Sequence, residues 1–399
     1  MKILILTAEY PPYVIGGIGR HVFELSNLMS ENNEVIVLTY GNIAEKLKYT
    51  KVIINNLTIY RINKNLLSKN GNENNIYYEQ NILARDAINE IFANNDIDLV
   101  SLHGYFFGET ALYIKKNFNI PLIYHAHTLY QFNETNFEDV NKEFSIIKII
   151  ERLLLLESTK IIAISNYLKN VIIEKCKIVS KKIIVIGKGI KINKYENNET
   201  TKNRLIDKIN LLYVGRISEE KGLEILLFAL KEVEKKYKDK FILKIVGTAN
   251  NNDYLHKVKN IINTLNLNKC IMFLGQKDEN ELIYEYHNND ILIVPSYLET
   301  FGRVVIEGMA AGIPIISSDS GGLDELVINN VNGFKFKSGD YKQLGTYLIA
   351  SKENYAYALS LSRNAVRYVN AYEIETIFKK TMVIYMEAFH EYFSNITSS

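Results

Sequence analysis

Two doubly wound, Rossmann-like α/β domains are what this sequence predicts, and three observations predict them. The chain is 399 residues long, too long for one ordinary core and suited to two of near-equal size. Short continuous apolar runs recur along it, each followed by a Gly-rich or polar loop and an amphipathic helix; such runs form parallel strands buried on both faces. The series occurs twice, with a polar stretch between the halves. At 47% hydrophobic and 23% charged residues, the composition is that of a soluble globular protein.

In the first half, the runs at 3–7, 35–39, 99–103, 122–125 and 161–164 read as buried strands. In the second half, 211–214, 241–246, 271–274, 291–294 and 315–317 do the same. The opening MKILILTAEYPP has one Lys and an apolar run that stops at an acid and two prolines, so it reads as a first strand and not as a signal peptide. No stretch approaches the roughly 18–20 apolar residues of a membrane helix. Segment 142–157 (KEFSIIKIIERLLLLE) has the pattern of a strongly apolar amphipathic helix, explained by core packing ahead of membrane contact. The polar stretch 191–209 (KINKYENNETTKNRLIDKI) is the expected linker. It sets an N-terminal domain at 1–190 and a C-terminal domain at 210–371. The tail, 372–399, is periodic as a helix and is expected to cross back to the N-terminal domain. The loops at 46–75, 105–110 and 130–142 carry no pattern that decodes.

Net charge is +2. Up to Tyr195 there are 23 basic and 19 acidic residues, leaving 24 and 26 of the totals of 47 and 45 beyond it. An asymmetry of this size is far from a nucleic-acid-binding signature, though it leaves room for weak attraction to an anionic membrane surface. Cys176 and Cys270 lie in different halves with no metal-like spacing, and are expected to be buried thiols. A cytoplasmic location follows, with room for peripheral contact at the inner face of the membrane.

Chemistry concentrates at strand ends, where open α/β sheets bind ligands. In LLYVGRISEEKG (211–222) a strand ends at Gly215, which lets backbone approach a ligand. Arg216 and Lys221 follow on one loop before a helix beginning at Leu223. A guanidinium fork and an ammonium beside a helix N-terminus suit an anion, a diphosphate above all; a solvated basic loop would read the same way. In DILIVPSYLETFGRVVIEGMAAGIPII (290–316), Glu299 lies on the loop before a helix and Glu307 is expected two turns inside it. A carboxylate among Val304, Val305, Ile306, Met309 and Ala310 is costly to bury without partners, and sugar or ribose hydroxyls are suitable donors to it. The N–H groups around Phe301, Gly302 and Arg303 suit a phosphate oxygen.

Together these segments resemble family 4 of the glycosyltransferases, of GT-B fold, in the group that includes glycogen- and sucrose-synthase-like and mannosyltransferase-like enzymes. E-x-F-G with a second Glu eight residues after the first, G-R-x-x-x-x-K-G at 215–222 and DSGGLDE at 319–325 occur in the family's order over nearly the whole chain. The resemblance implies that two domains face each other across a cleft. It implies that a hexosyl-type sugar moves from a nucleotide diphosphate, UDP foremost with ADP and GDP as alternatives, with retention of configuration. Arg216 and Lys221 would hold the diphosphate and Glu307 the ribose, while Glu299 orients the transferred sugar. Phe301 and Gly302 would offer backbone donors. In the N-terminal half, Gly16 and Gly17 of YPPYVIGGIGRH would touch the donor phosphate, so that the two lobes close on the donor. His127 of LIYHAHT would be the active-site histidine and His125 a packed strand residue. Ser165 matches a cleft-facing serine but is equally well a helix N-cap. Gly247 and Gly275, after the second and third C-domain strands, are further donor-side positions.

Three departures stand out. Val14 occupies a position where glycogen synthases of the bacterial type carry Lys. Lys188-Gly189-Ile190-Lys191 replaces the usual Asn-Gly-Val/Ile-Asp, and Gly247-Thr248-Ala249 replaces Gly-x-Gly. With no D-x-D pattern in a suitable loop, Arg216, Lys221 and helix N-termini are expected to stabilise the leaving group without metal or other cofactor. The acceptor, a carbohydrate, a lipid-linked molecule or a protein, cannot be read, nor can the oligomeric state. A GT-B epimerase lacks E-x-F-G, and a phosphorylase needs a pyridoxal lysine that has no candidate here. A catalytically silent GT-B subunit that stabilises a partner would commonly lose the basic pair or one Glu, and this chain keeps all four.

Overall fold

A computed structural model describes residues 1–13, 16–43, 46–68, 73–130, 146–196, 207–249 and 251–397. The chain divides into two compact units: Met1–Gly189 with Ile374–Ser399, and Ile190–Glu373.

Unit 1 is built from β1 (Lys2–Thr7), α1 (Gly17–Ser30), β2 (Glu34–Gly41), β3 (Tyr49–Ile54), β4 (Leu57–Asn63), α2 (Glu73–Asn94), β5 (Leu99–His103), α3 (Gly108–Phe118), β6 (Leu122–Ala126), α4 (Ile146–Glu157), β7 (Lys160–Ala163), α5 (Asn166–Cys176) and β8 (Ile183–Val185). Its sheet runs β3-β4-β2-β1-β5-β6-β7-β8. All neighbours are parallel except β3, which turns back antiparallel on β4. That hairpin corrects the expectation of a featureless loop at 46–75. Asn55 takes a left-handed φ of 53° at the turn, and the pattern KVII-NN-LTIY carries the hairpin signal. β3 is an exposed edge strand, which is why its alternation is weak. The amphipathic helix expected from 142 is described from Ile146; residues 142–145, with the rest of the loop 131–145, lie outside the described residues, as do Val14 and residues 69–72.

Unit 2 contains β9 (Ile209–Val214), α6 (Leu223–Lys236), β10 (Phe241–Val246), α7 (Asn252–Thr264), β11 (Ile271–Gly275), α8 (Glu279–Asn288), β12 (Ile291–Val294), α9 (Arg303–Ala310), β13 (Ile315–Ser318), α10 (Leu323–Leu326), β14 (Phe334–Phe336), α11 (Tyr341–Glu353) and α12 (Tyr355–Tyr368). Its sheet is wholly parallel, in the order β11-β10-β9-β12-β13-β14. Leu211, Leu243, Ile291, Ile293 and Ile316 form its buried centre, with Leu226, Leu230 and Val258 packed on it from the helices. Every β12 residue is buried, as expected of a strand covered on both faces.

The final helix, α13 (Ile374–Thr397), belongs to unit 1, where Ile377, Ile384, Tyr385 and Ala388 join the core of β1, β2 and α1. Part of the expected linker is not a linker. Ile192 and Tyr195 are buried, the Ile192 N–H donates to the Glu373 carboxylate (3.1 Å), and the Tyr195 carbonyl bonds the His287 ring (2.8 Å). Residues 197–206 lie outside the described residues. No disulfide joins the two cysteines; Cys176 is buried, whereas Cys270 is only half-buried, and burial raises its thiol to about 11.

Candidate active site

Both sheets share one topological feature. Chain order reverses direction between β9 and β12 in unit 2, and between β1 and β5 in unit 1. At such a switch point the loops at the carboxyl ends of the two strands diverge and leave a crevice. In unit 2 those loops are 215–222 and 295–302, the two segments that carry Arg216, Lys221, Glu299, Phe301 and Gly302.

Glycines fix how closely these loops approach. Gly222 has φ +65°, and a Cβ there would run into the Pro295 carbonyl oxygen at the end of β12. The Tyr297 N–H donates to the Glu220 carbonyl (2.8 Å), so the two loops are joined by backbone. Gly322 has the same function on the other side. Its N–H donates to the Glu299 carbonyl (2.8 Å), and a Cβ there would lie 2.5 Å from the Thr300 oxygen. Gly302 caps α9 with φ 109°. Gly247, at φ +136°, abuts the Gly215 carbonyl, and its N–H donates to the Gly275 carbonyl (2.8 Å). Close packing of adjacent strand ends therefore already explains glycine at 247.

Within this frame the Lys221 ammonium meets the Glu299 carboxylate at 2.5 Å, with both side chains about one-fifth exposed, at 19% and 21%. Arg216 is more open, at 55%, and pairs with Glu220 at 3.1 Å. The structure thus brings Lys221 and Glu299 into contact across the switch point and leaves the Arg216 fork toward solvent. Glu307 is placed differently from its expectation. It lies one turn, not two, inside α9, and its carboxylate accepts from Arg303 Nε (2.8 Å) and from the Tyr286 hydroxyl (2.9 Å). Arg303 and Glu307 are both buried. The donors that a buried carboxylate needs are therefore supplied by the protein itself. Arg303 was legible in principle, since Arg and Glu four residues apart share a helix face.

At the unit 1 switch point, Gly16 caps α1 in extended conformation. Its N–H donates to the Glu9 carboxylate (2.9 Å), an anion at a helix N-terminus; Gly17 opens the helix. His103 ends β5, opposite His125 of β6 in register, and His127 lies just beyond. All three imidazoles are buried. His103 Nδ1 and His127 Nε2 share a hydrogen bond at 3.1 Å, and the His21 ring lies 5.9 Å from that of His127. Burial holds His103 and His127 well below the ordinary imidazole value, assisted by Lys188 and the neighbouring rings; burial takes His125 down to about 3. These rings are neutral. Ser165 accepts from the Leu168 N–H (3.1 Å) as the N-cap of α5. His21 closes the Gly-rich loop segment and His103 ends a strand, and neither belongs to a catalytic motif in the sequence. Only the fold brings them beside His127.

Residues 15–194 match the family described as glycosyltransferase family 4, and residues 195–368 match glycosyl transferases group 1. The chain belongs to the family 4 glycosyltransferases. An uncharacterized glycosyltransferase of Methanocaldococcus jannaschii is 27% identical to this transferase over 377 residues, 92% of this chain and 94% of that one. Sucrose-phosphate synthase of Thermosynechococcus elongatus superposes with a TM-score of 0.83 at 20% identity, covering 98% of the transferase and 99% of that chain. HepE of Anabaena, solved in complex with UDP-glucose, superposes with a TM-score of 0.72 at 19% identity over 99% and 100% of the two chains. The fold of this transferase is GT-B. Among its described residues no helix is long and apolar enough to cross a membrane, and no group of three or more His, Cys, Asp or Glu is placed to hold a metal ion.

Proposed function

We propose that the chain transfers a hexosyl-type sugar from a nucleotide diphosphate, UDP foremost, to a carbohydrate, lipid-linked or protein acceptor, with retention of configuration and without metal. The observation that carries this reading is the Lys221–Glu299 pair at the unit 2 switch point. An ammonium for a diphosphate oxygen and a carboxylate for sugar hydroxyls are adjacent, as a glycosyl diphosphate requires, because its sugar is bonded directly to the phosphate. UDP-glucose in HepE supports the choice of donor.

In this reading Arg216 closes on the diphosphate and Lys221 leaves Glu299 for the departing phosphate oxygen. Glu299 then accepts hydroxyls of the transferred sugar. Charge that develops on the leaving diphosphate is met by these cations and by the Phe301 and Gly302 N–H groups at the start of α9. Glu307 supports the ribose from the pocket in which Arg303 and Tyr286 hold it. Gly17 offers a backbone donor to the phosphate, as does Gly16 once its N–H gives up the Glu9 carboxylate, and the neutral His127 hydrogen-bonds the sugar. Release of UDP from UDP-glucose, followed before and after exhaustive chelation, tests the reading. Turnover should persist near its original rate, whereas a loss restored by magnesium or manganese would overturn the electrostatic mechanism.

A further inference from the structure

Beyond His127, a line of buried polar groups crosses unit 1 and ends on its last helix. His127 Nε2 bonds His103 Nδ1 at 3.1 Å, and His103 Nε2 bonds Ser101 Oγ at 3.2 Å. Ser101 Oγ bonds the Tyr385 hydroxyl at 2.5 Å, which in turn bonds His125 Nε2 at 2.8 Å. Ser101 and Tyr385 are fully buried and the three histidines nearly so. His103 stacks on His125, with ring centroids 4.0 Å apart and planes 18° from parallel. Ser101 and His103 face the same side of β5, two residues apart, and Tyr385 reaches them from α13, 284 residues away in sequence.

Each member of this line has one proton to give. A neutral imidazole donates through one nitrogen and accepts through the other, and a hydroxyl does both. Every proton along the line is paired only when the bonds run in one sense, either from His125 toward His127 or the reverse. A hydroxyl can accept from both neighbours through its two lone pairs, but its own proton is then unpaired in a dry interior, so a break of sense at any link carries the cost of an unsatisfied buried group. Burial keeps the rings neutral, and neutrality is what makes the line directional.

We propose that this relay fixes the tautomer and ring orientation of His127, with Tyr385 of the C-terminal helix and Ser101 of β5 as positioning residues. The relevance to transfer rests on the reading of His127 as an active-site residue; the relay itself does not. α13 thus does more than cover the sheet. Through one hydroxyl it determines which nitrogen of a distant imidazole carries the proton.

The test uses the full chain, labelled with ring-15N histidine, as the parent and as Tyr385→Phe, Ser101→Ala and the double variant. Phe keeps the ring packing of Tyr385, and circular dichroism checks that each variant folds. In the parent, the ring nitrogens of His103 and His127 should show one fixed tautomer each. In Tyr385→Phe they should shift toward averaged values, and UDP release from UDP-glucose should fall roughly fivefold in kcat with KM unchanged, as for one net hydrogen bond. Ser101→Ala should do the same, and the double variant should lose no more than either single one, because the relay is already broken. Parental ring-nitrogen signals for His127 in both folded single variants would overturn the relay. Changed signals with unchanged turnover would uphold it and count instead against His127 as a participant in transfer.

Discussion

The switch points of the two units share a strand order but differ in chemistry. At β9/β12 the important side chains are charged and partly open to solvent: Arg216, Lys221 and Glu299 stand on loops joined by backbone hydrogen bonds. At β1/β5 they are neutral, buried and hydrogen-bonded to one another: His103, His127 and, through Ser101 and Tyr385, His125. Topology decides where a site forms, and burial decides which chemistry it can perform. A charged nucleotide suits the first, whereas a neutral imidazole that distinguishes hydroxyl donors from acceptors suits the second.

The comparison is broken most severely at Glu307. Removing it leaves Arg303 as a buried cation without its carboxylate, at a cost of about 3–5 kcal/mol. Glu307→Ala should therefore lower the denaturant midpoint of unit 2 as well as nucleotide affinity, while Glu307→Gln separates the two effects. If Glu307→Ala is as stable as the parent, the Arg303–Glu307–Tyr286 group is not structural. Next in size, Glu299→Gln should reduce transfer by roughly a hundredfold, if its hydroxyl contacts strengthen in the transition state, yet leave affinity for bare UDP nearly intact. Equal loss of bare-UDP affinity in Glu299→Gln and Glu307→Gln would contradict the assignment of one to sugar and the other to ribose.

Much of unit 2 was legible because its chemistry is local. G-R-x-x-x-x-K-G and E-x-F-G place their charges within a few residues of a strand end, and Gly222 and Gly302 each answer a close contact that the structure shows. Glu307 was legible as a buried carboxylate, but its partners were not. Arg303 is four residues away on the same helix, and Tyr286 belongs to the preceding one. In unit 1 the strand ends at His103 and His125 were legible, but the cluster was not. Its members come from α1, β5, β6 and α13, so only long-range pairing assembles it. The β3–β4 hairpin was missed for the opposite reason. Its turn signal, Asn55-Asn56, was present, but the strand before it, with Val52, Ile53 and Ile54 all exposed, shows no apolar/polar alternation to mark a buried face.

A smaller and slower effect separates the units by pH. His125 has a folded-state value of about 3, and burial holds His103 and His127 well below the ordinary value as well. An unfolded histidine titrates near 6.5. Below that pH the unfolded chain binds protons that these rings refuse, so stability is complete above about pH 6.5 and declines as the pH falls, by up to about 1.4 kcal/mol per pH unit for each ring. Hydrogen exchange between pH 7.5 and 5 should therefore show β5 and β6 losing protection, after correction for the intrinsic rate, ahead of β9 and β12. Equal loss in both sheets would remove the buried histidines as the cause.

The central claim, that unit 2 holds the nucleotide while the unit 1 histidines act on the sugar, is tested most directly by calorimetric titration of bare UDP into three variants. Arg216→Ala and Lys221→Ala should each weaken binding by roughly 1.5–3 kcal/mol, the range for a hydrogen bond to a charged group. His127→Ala should bind UDP as the parent does. Parental affinity in both cation variants, or loss of affinity in His127→Ala alone, would contradict that division.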